Sequence, residues 1–101
     1  MSLWREHIVK RSSRSSGWSK VRSEFIDVFN CCAVCGKERG LEVHHIRDFS
    51  TDPELEMSWD NLLTLCRGHH LLFGHLNYWA SINPSVVLDA SLWNNKIRDR
   101  R

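Results

Sequence analysis

The sequence predicts a small α+β domain, with two short strands leading into a helix and a further helix on either side. Three observations predict it. Cys32-Ala33-Val34-Cys35 and Cys66-Arg67-Gly68-His69, two pairs of potential metal ligands at one spacing, bracket the middle of the chain. Between them, the apolar runs that begin at Leu41 and Leu62 are too short for helices and read as strands. Outside them, apolar residues recur at helical spacing. At 101 residues and 42% hydrophobic content, one domain is expected, of a size at which a bound metal helps a modest core.

The paired half-sites set the centre of the fold. Two thiolates three residues apart can both reach one tetrahedral Zn²⁺. Gly36, directly after Cys35, supplies the positive φ such a turn needs, and turn amides can then bond the sulfur charge. Cys66 and His69 repeat the spacing with an imidazole, so the expected shell is Cys32, Cys35, Cys66 and His69 around a structural Zn²⁺. Cys31 competes for the first position, although Cys31-x-x-x-Cys35 breaks the knuckle geometry. His70 competes with His69. Adjacent helical residues point about 100° apart, so one histidine can serve zinc while the other faces elsewhere.

In chain order, residues 1–17 are rich in serine and arginine and read as a flexible basic arm, with residues 18–101 forming the domain. Trp18, Val21, Phe25, Val28 and Phe29 fall near helical spacing and predict an amphipathic helix packed on the zinc module. Residues 41–46 read as the first strand. The connection from Arg47 to Asp60 contains Pro53 and several acids, and reads as an irregular, solvated loop. Residues 62–65 read as a second strand, antiparallel to the first. A helix is expected from Gly68 to Ser81, with His70, Gly74, Asn77 and Ser81 on one small polar face, and Leu72, Leu76 and Trp79 on an apolar one. His75 lies about 140° from His70 in a regular helix, which places it at the surface or against phosphate. Asn83 and Pro84 suit the cap and first position of a last helix, with Ile82 and Val87 as a hydrophobic staple. Val86, Ala90, Trp93 and Ile97 form its stripe.

Taken together, Cys32/Cys35, His44-His45, Asn61 and Cys66/His69/His70 resemble the HNH endonuclease family of ββα-metal (His-Me finger) nucleases. The resemblance covers roughly residues 18–83. It departs at the last zinc position, usually Cys in the family and His69 here. It implies that His44 and His70 hold a catalytic divalent cation, that His45 is the general base activating water, and that Asn61 braces the loop that orients the base. It also implies hydrolysis of double-stranded DNA, by nicking or double-strand cleavage, to a 5′-phosphate and a 3′-hydroxyl. Both histidines must then address one site although successive strand residues face opposite ways. The strand is expected to twist or end there.

The chemistry suits those roles. An imidazole near neutral pKa can take a proton from water. Imidazole ligands favour Mn²⁺, Ni²⁺, Co²⁺ or Zn²⁺, while Mg²⁺ would act through phosphate and water oxygens. The net charge of +2 conceals basic ends around an acidic middle. Arg14, Lys20 and Arg22 are the candidate contacts to DNA backbone. No apolar run approaches the 18 residues of a membrane span, and thiols at metal spacing imply a reducing cytoplasm, bacterial or of a phage host. Small proteins resembling this one often belong to phage or prophage DNA processing, so a packaging terminase is an expected partner. Two rivals stand beside the enzyme: a non-catalytic zinc-finger DNA-binding module and a zinc-stabilised protein-interaction domain.

Overall fold

A computed structural model describes residues 16–48 and 52–99. Helix α1 (Trp18–Val28) precedes the knuckle, strand β1 (Leu41–His45) follows it, and two 3₁₀ turns (Pro53–Leu55 and Trp59–Asn61) carry the connection to strand β2 (Leu62–Cys66). The short helix α2 (Arg67–His69) runs into a π-helical turn (His70–Gly74), and helix α3 (Val86–Asp99) closes the fold. No helix among the described residues is long and apolar enough to cross a membrane. Most of the arm, including Arg14, lies outside the described residues.

The strands pair antiparallel from Leu41↔Cys66 to His45↔Leu62. Period-two alternation then sorts their side chains onto two faces. Val43 and Leu62 pack with Trp18 and Phe25 of α1. Leu65, fully buried, joins Cys32, Val34, Cys66, Val86 and Ala90 in the second cluster, which α3 covers. Asn94 donates to the Val34 carbonyl at 3.0 Å and ties α3 to the knuckle loop. Of the α1 stripe, Val28 and Phe29 remain exposed, although the Phe29 ring meets those of Phe25 and Trp59.

Four expectations need correction. The helix expected over Gly68–Ser81 leaves helical geometry after Gly74, and Leu76 and Asn77 take positive φ of 54° and 65°. Asn77 and Ser81 therefore do not extend a helical face from His70. The last helix starts at Val86, two residues later than expected. Asn83 still prepares its start, accepting the Ser85 amide at 3.0 Å while its side-chain amide donates to the Phe73 carbonyl and the Asp89 carboxylate, both at 2.9 Å. Val87 is exposed and Ile82 lines a histidine pocket, so the expected staple gives way to that pocket. Glu56, expected among solvated loop acids, is buried.

Because Leu65 has no exposed surface and bridges β2 to α3, Leu65→Ala should cost about 2–5 kcal/mol in chemical denaturation at constant zinc occupancy. A change below 0.5 kcal/mol would contradict this core.

Candidate metal and catalytic site

Two donor clusters form, one toward each end of the ladder. At the Leu41↔Cys66 end, Cys32, Cys35, Cys66 and His69 bring one donor atom each within 4.8 Å of the others. Cys35 Sγ and Cys66 Sγ lie 4.0 Å apart, and Cys66 Sγ is 3.3 Å from His69 Nδ1. A disulfide would need about 2.05 Å between sulfurs. Sulfurs about 2.3 Å from a shared tetrahedral zinc would lie roughly 3.8 Å apart, close to the spacing found. The donor set therefore fits zinc. Gly36 takes φ +78° and the Val34 amide points at Cys32 Sγ at 3.4 Å, as a knuckle turn requires. Burial disfavours the Cys32 thiolate, but hydrogen bonds from the Cys35, Cys66 and Val34 backbone and from His69 outweigh it and bring its pKa down to about 7. Cys31 is exposed and outside the cluster.

The second cluster is His44, His70 and His75. His44 and Glu42 project from the same face of β1, toward the turn that follows β2. The π-helical stretch His70–Gly74 explains why His75 joins them. With i→i+5 bonding the turn is wider than an α-turn, so residue i+5 returns above residue i. His70 and His75 rings are 4.9 Å apart by their centroids, and His44 meets both at 5.0 and 4.9 Å. The regular-helix expectation that put His75 at the surface fails for this reason. Gly74 is needed here: a Cβ on it would lie 2.8 Å from His44 Nδ1 and Cε1.

Hydrogen-bond polarity fixes where the lone pairs point. His70 Nδ1 lies 2.8 Å from a Glu42 carboxylate oxygen and His75 Nδ1 lies 2.7 Å from the Ser81 carbonyl. Both partners accept in these contacts, so each Nδ1 carries its hydrogen and each Nε2 keeps a lone pair. Those two Nε2 atoms face each other at 3.2 Å. His44 Nε2 is buried without a hydrogen-bond partner. Three imidazoles with converging or orphaned nitrogens are what a cation would satisfy, and imidazole suits a divalent transition metal. The residues fit such an ion.

Electrostatics agree. Burial, reinforced by His70, His75 and His45, pushes the His44 pKa down to about 3. Burial also lowers His70, outweighing the opposing pull of Glu42, so both rings are neutral near pH 7, the state that binds metal. Burial opposes ionisation of Glu42, yet its bonds from His70 and Arg67 prevail and hold its carboxyl below the usual range.

His45 sits on the opposite face of β1, its ring 4.5 Å from that of Trp18 by centroid. Because β1 ends at this residue, His45 and His44 nevertheless line one pocket of about 270 Å³ with Asp48, His70, His75 and Trp79. The Glu56 carbonyl accepts from His45 Nε2 at 2.9 Å, which leaves Nδ1 as the basic nitrogen of the neutral ring. Buried Asn61 accepts the Arg47 amide at 2.8 Å and donates to the Arg47 and Leu55 carbonyls at 3.2 and 3.3 Å. It thereby fixes the residue next to the one that holds His45. The sequence reading missed two contributors: the Glu42 side chain and the Ser81 carbonyl. Glu42 stands two residues before His44, hence on its face, and that period was the available signal. The Ser81 contact depends on a left-handed turn that no residue pattern announced.

The candidate DNA contacts divide. Lys20 is exposed beside Glu24 at 3.9 Å, while Arg22 donates to the Leu41 carbonyl at 3.3 Å and ties α1 to β1. Among known families, the model described as HNH endonuclease matches residues 32–71. No curated protein and no solved structure matches.

Two outcomes follow from this geometry. Gly74→Ala should displace the His44 ring and weaken divalent-cation uptake at the histidine cluster at least tenfold by calorimetry, with zinc still bound at the knuckle. Unchanged uptake would refute the close approach. The second concerns pH. The folded-state pKa of His44, about 3, lies below its ordinary 6.5, so between these values the unfolded chain binds a proton that the folded one refuses. Stability should be unaffected by His44 above pH 6.5 and fall as pH drops below it, by up to about 1.4 kcal/mol per unit. Urea midpoints taken without added divalent cation should thus fall more steeply from pH 7 to 5 in the parent than in His44→Asn. Parallel curves would count against this burial.

Proposed function

Since the model described as HNH endonuclease matches residues 32–71, we propose that this chain is a divalent-metal-dependent endonuclease hydrolysing phosphodiester bonds of double-stranded DNA. The observation that carries the reading is the opening of His45 and of the three-histidine cluster into the same pocket. His44, His70 and His75 would hold the cation through imidazole nitrogens. When bound, it supplies charge neutralisation at the scissile phosphate and at the leaving oxygen. Imidazole donors favour Mn²⁺, Ni²⁺, Co²⁺ or Zn²⁺ over Mg²⁺.

In this reading His45 accepts the proton of the attacking water at Nδ1. The Glu56 carbonyl holds the Nε2–H, which prevents the other tautomer and sets the ring's direction. Trp18 packs against the ring and limits its rotation. Asn61 acts one step further back, by immobilising the loop at Leu55. Lys20, exposed on α1, is a proposed backbone phosphate contact, and Arg22 serves that role less directly because it is engaged with Leu41. The Cys32, Cys35, Cys66 and His69 shell would hold structural zinc and take no part in chemistry. One such centre cuts one strand, so nicking is the expected event for a single copy.

Supercoiled plasmid incubated with Mn²⁺ should be relaxed by the protein and left intact in EDTA. His45→Ala should lower the rate by roughly 10²–10⁴-fold while DNA binding is kept in a gel shift. Binding without cleavage in Mn²⁺, Mg²⁺, Ni²⁺ or Co²⁺ would replace the enzyme with a zinc-finger binding module. Absence of both would favour a protein-interaction domain.

A further inference from the structure

Glu42, on the same face of β1 as His44, has a separate partner for each of its two carboxylate oxygens. One oxygen lies 2.8 Å from His70 Nδ1, the other 3.0 Å from Arg67 Nη1. The placement follows from three local facts. Glu42 and His44 share a face of β1 by the period of a strand. Glu42 stands opposite Leu65 in the ladder, so the residues just after β2 fold back over it. Arg67 is anchored in turn, its guanidinium 4.7 Å from the centre of the Trp79 ring.

We propose that Glu42 is the positioning residue of the histidine centre, holding His70 in the Nδ1–H form so that Nε2 is presented to a divalent cation. The proposal rests on the metal-dependent reading of the pocket and extends it to a residue that touches neither cation nor DNA. The three imidazoles are held differently. His75 is oriented by a neutral carbonyl, and His44 is wedged against the Gly74 backbone, whereas His70 alone has a carboxylate behind it. A carboxylate on the far nitrogen fixes the tautomer, directs the ring and makes the ligating nitrogen more basic. Arg67 holds the second oxygen, which keeps Glu42 from rotating inward to ligate the cation itself. Glu42 and Arg67 are both partly solvated, so direction of the ring outweighs charge in this effect.

The test uses the zinc-loaded protein, with Ni²⁺ as the probe. Histidine ¹⁵N spectra should show His70 protonated on Nδ1 in the parent, and that signature should be lost in Glu42→Leu. Ni²⁺ affinity by calorimetry should fall about 10–100-fold in Glu42→Leu. Glu42→Gln, whose amide oxygen can still accept from Nδ1–H, should fall between Leu and the parent. Zinc content should stay at the parental value in both, since Glu42 is not one of the four zinc donors. Parental Ni²⁺ affinity in Glu42→Leu, or a His70 protonated on Nε2 in the parent, would overturn the proposal. If the parent itself takes up no Ni²⁺ at these histidines, the nuclease reading fails and the cation half of this proposal with it. The ¹⁵N spectra would then still decide whether Glu42 sets the tautomer.

Discussion

The structure turns on an arrangement of imidazole nitrogens that is unfavourable by itself. His70 and His75 aim lone pairs at each other across 3.2 Å, and His44 buries an unpartnered nitrogen beside them. An unsatisfied buried polar atom costs roughly 1–3 kcal/mol, so a small fold gains nothing by assembling three such rings for packing alone. The hydrogen-bond partners sharpen the point. A carboxylate and a carbonyl each claim an Nδ1–H, which removes the tautomers that would let neighbouring rings bond one another directly. A cation at the point of convergence would resolve the conflict, and the rings are already held where it would sit.

Such preorganisation needs a stiff frame, and a two-stranded ladder is a weak one. The knuckle supplies the stiffness. Cys32 and Cys35 come from the loop before β1, while Cys66 ends β2 and His69 ends the α2 that follows it, so a single metal shell would tie together two segments about thirty residues apart in sequence. His70 follows immediately and inherits its position from that anchor. The knuckle amides, the Leu65 cluster and the Asn94 bond to Val34 join α3 to the same unit. Binding free energy at a structural zinc is folding free energy. A zinc bound there would thus contribute to the proposed function by setting where the turn after it begins.

Much of this was legible in the sequence because the informative features are local. Knuckle spacing with Gly36 specified the clamp, short apolar runs specified the ladder, and the pair His44-His45 beside Asn61 carried the family resemblance that the match over residues 32–71 supports. The failures between His70 and Ser81 share one cause. The segment after His70 was read with α-helical angles, and one π-helical turn changes the face on which every later residue falls. That single change moved His75 into the cluster and Asn77 and Ser81 out of helical register. It also turned Ser81 into a backbone acceptor for the histidine that had been set aside. Composition offered no warning, since Leu71, Leu72 and Phe73 suit either geometry. Burial of Glu56 was equally hidden: what matters there is its carbonyl, and backbone atoms leave no trace in residue type.

The two histidines of the pair meet the strand's alternation in a consistent way. His44 goes to the face covered by the π turn, where burial and neighbouring imidazoles depress its pKa and keep it a neutral donor. His45 goes to the α1 face, where Trp18 and the Glu56 carbonyl hold it. Termination of β1 at His45 is what allows both to reach one pocket, and Asn61 occupies the position that enforces that termination, bonding Arg47 through both its amide and its carbonyl. One buried asparagine thereby holds the strand end and the loop whose Glu56 carbonyl bonds His45. Its influence on chemistry would run through the orientation of His45, whereas that of Glu42 would run through His70. The proposed base and the proposed cation ligand His70 are thus held by separate hydrogen-bond chains that reach the pocket from opposite faces of the ladder.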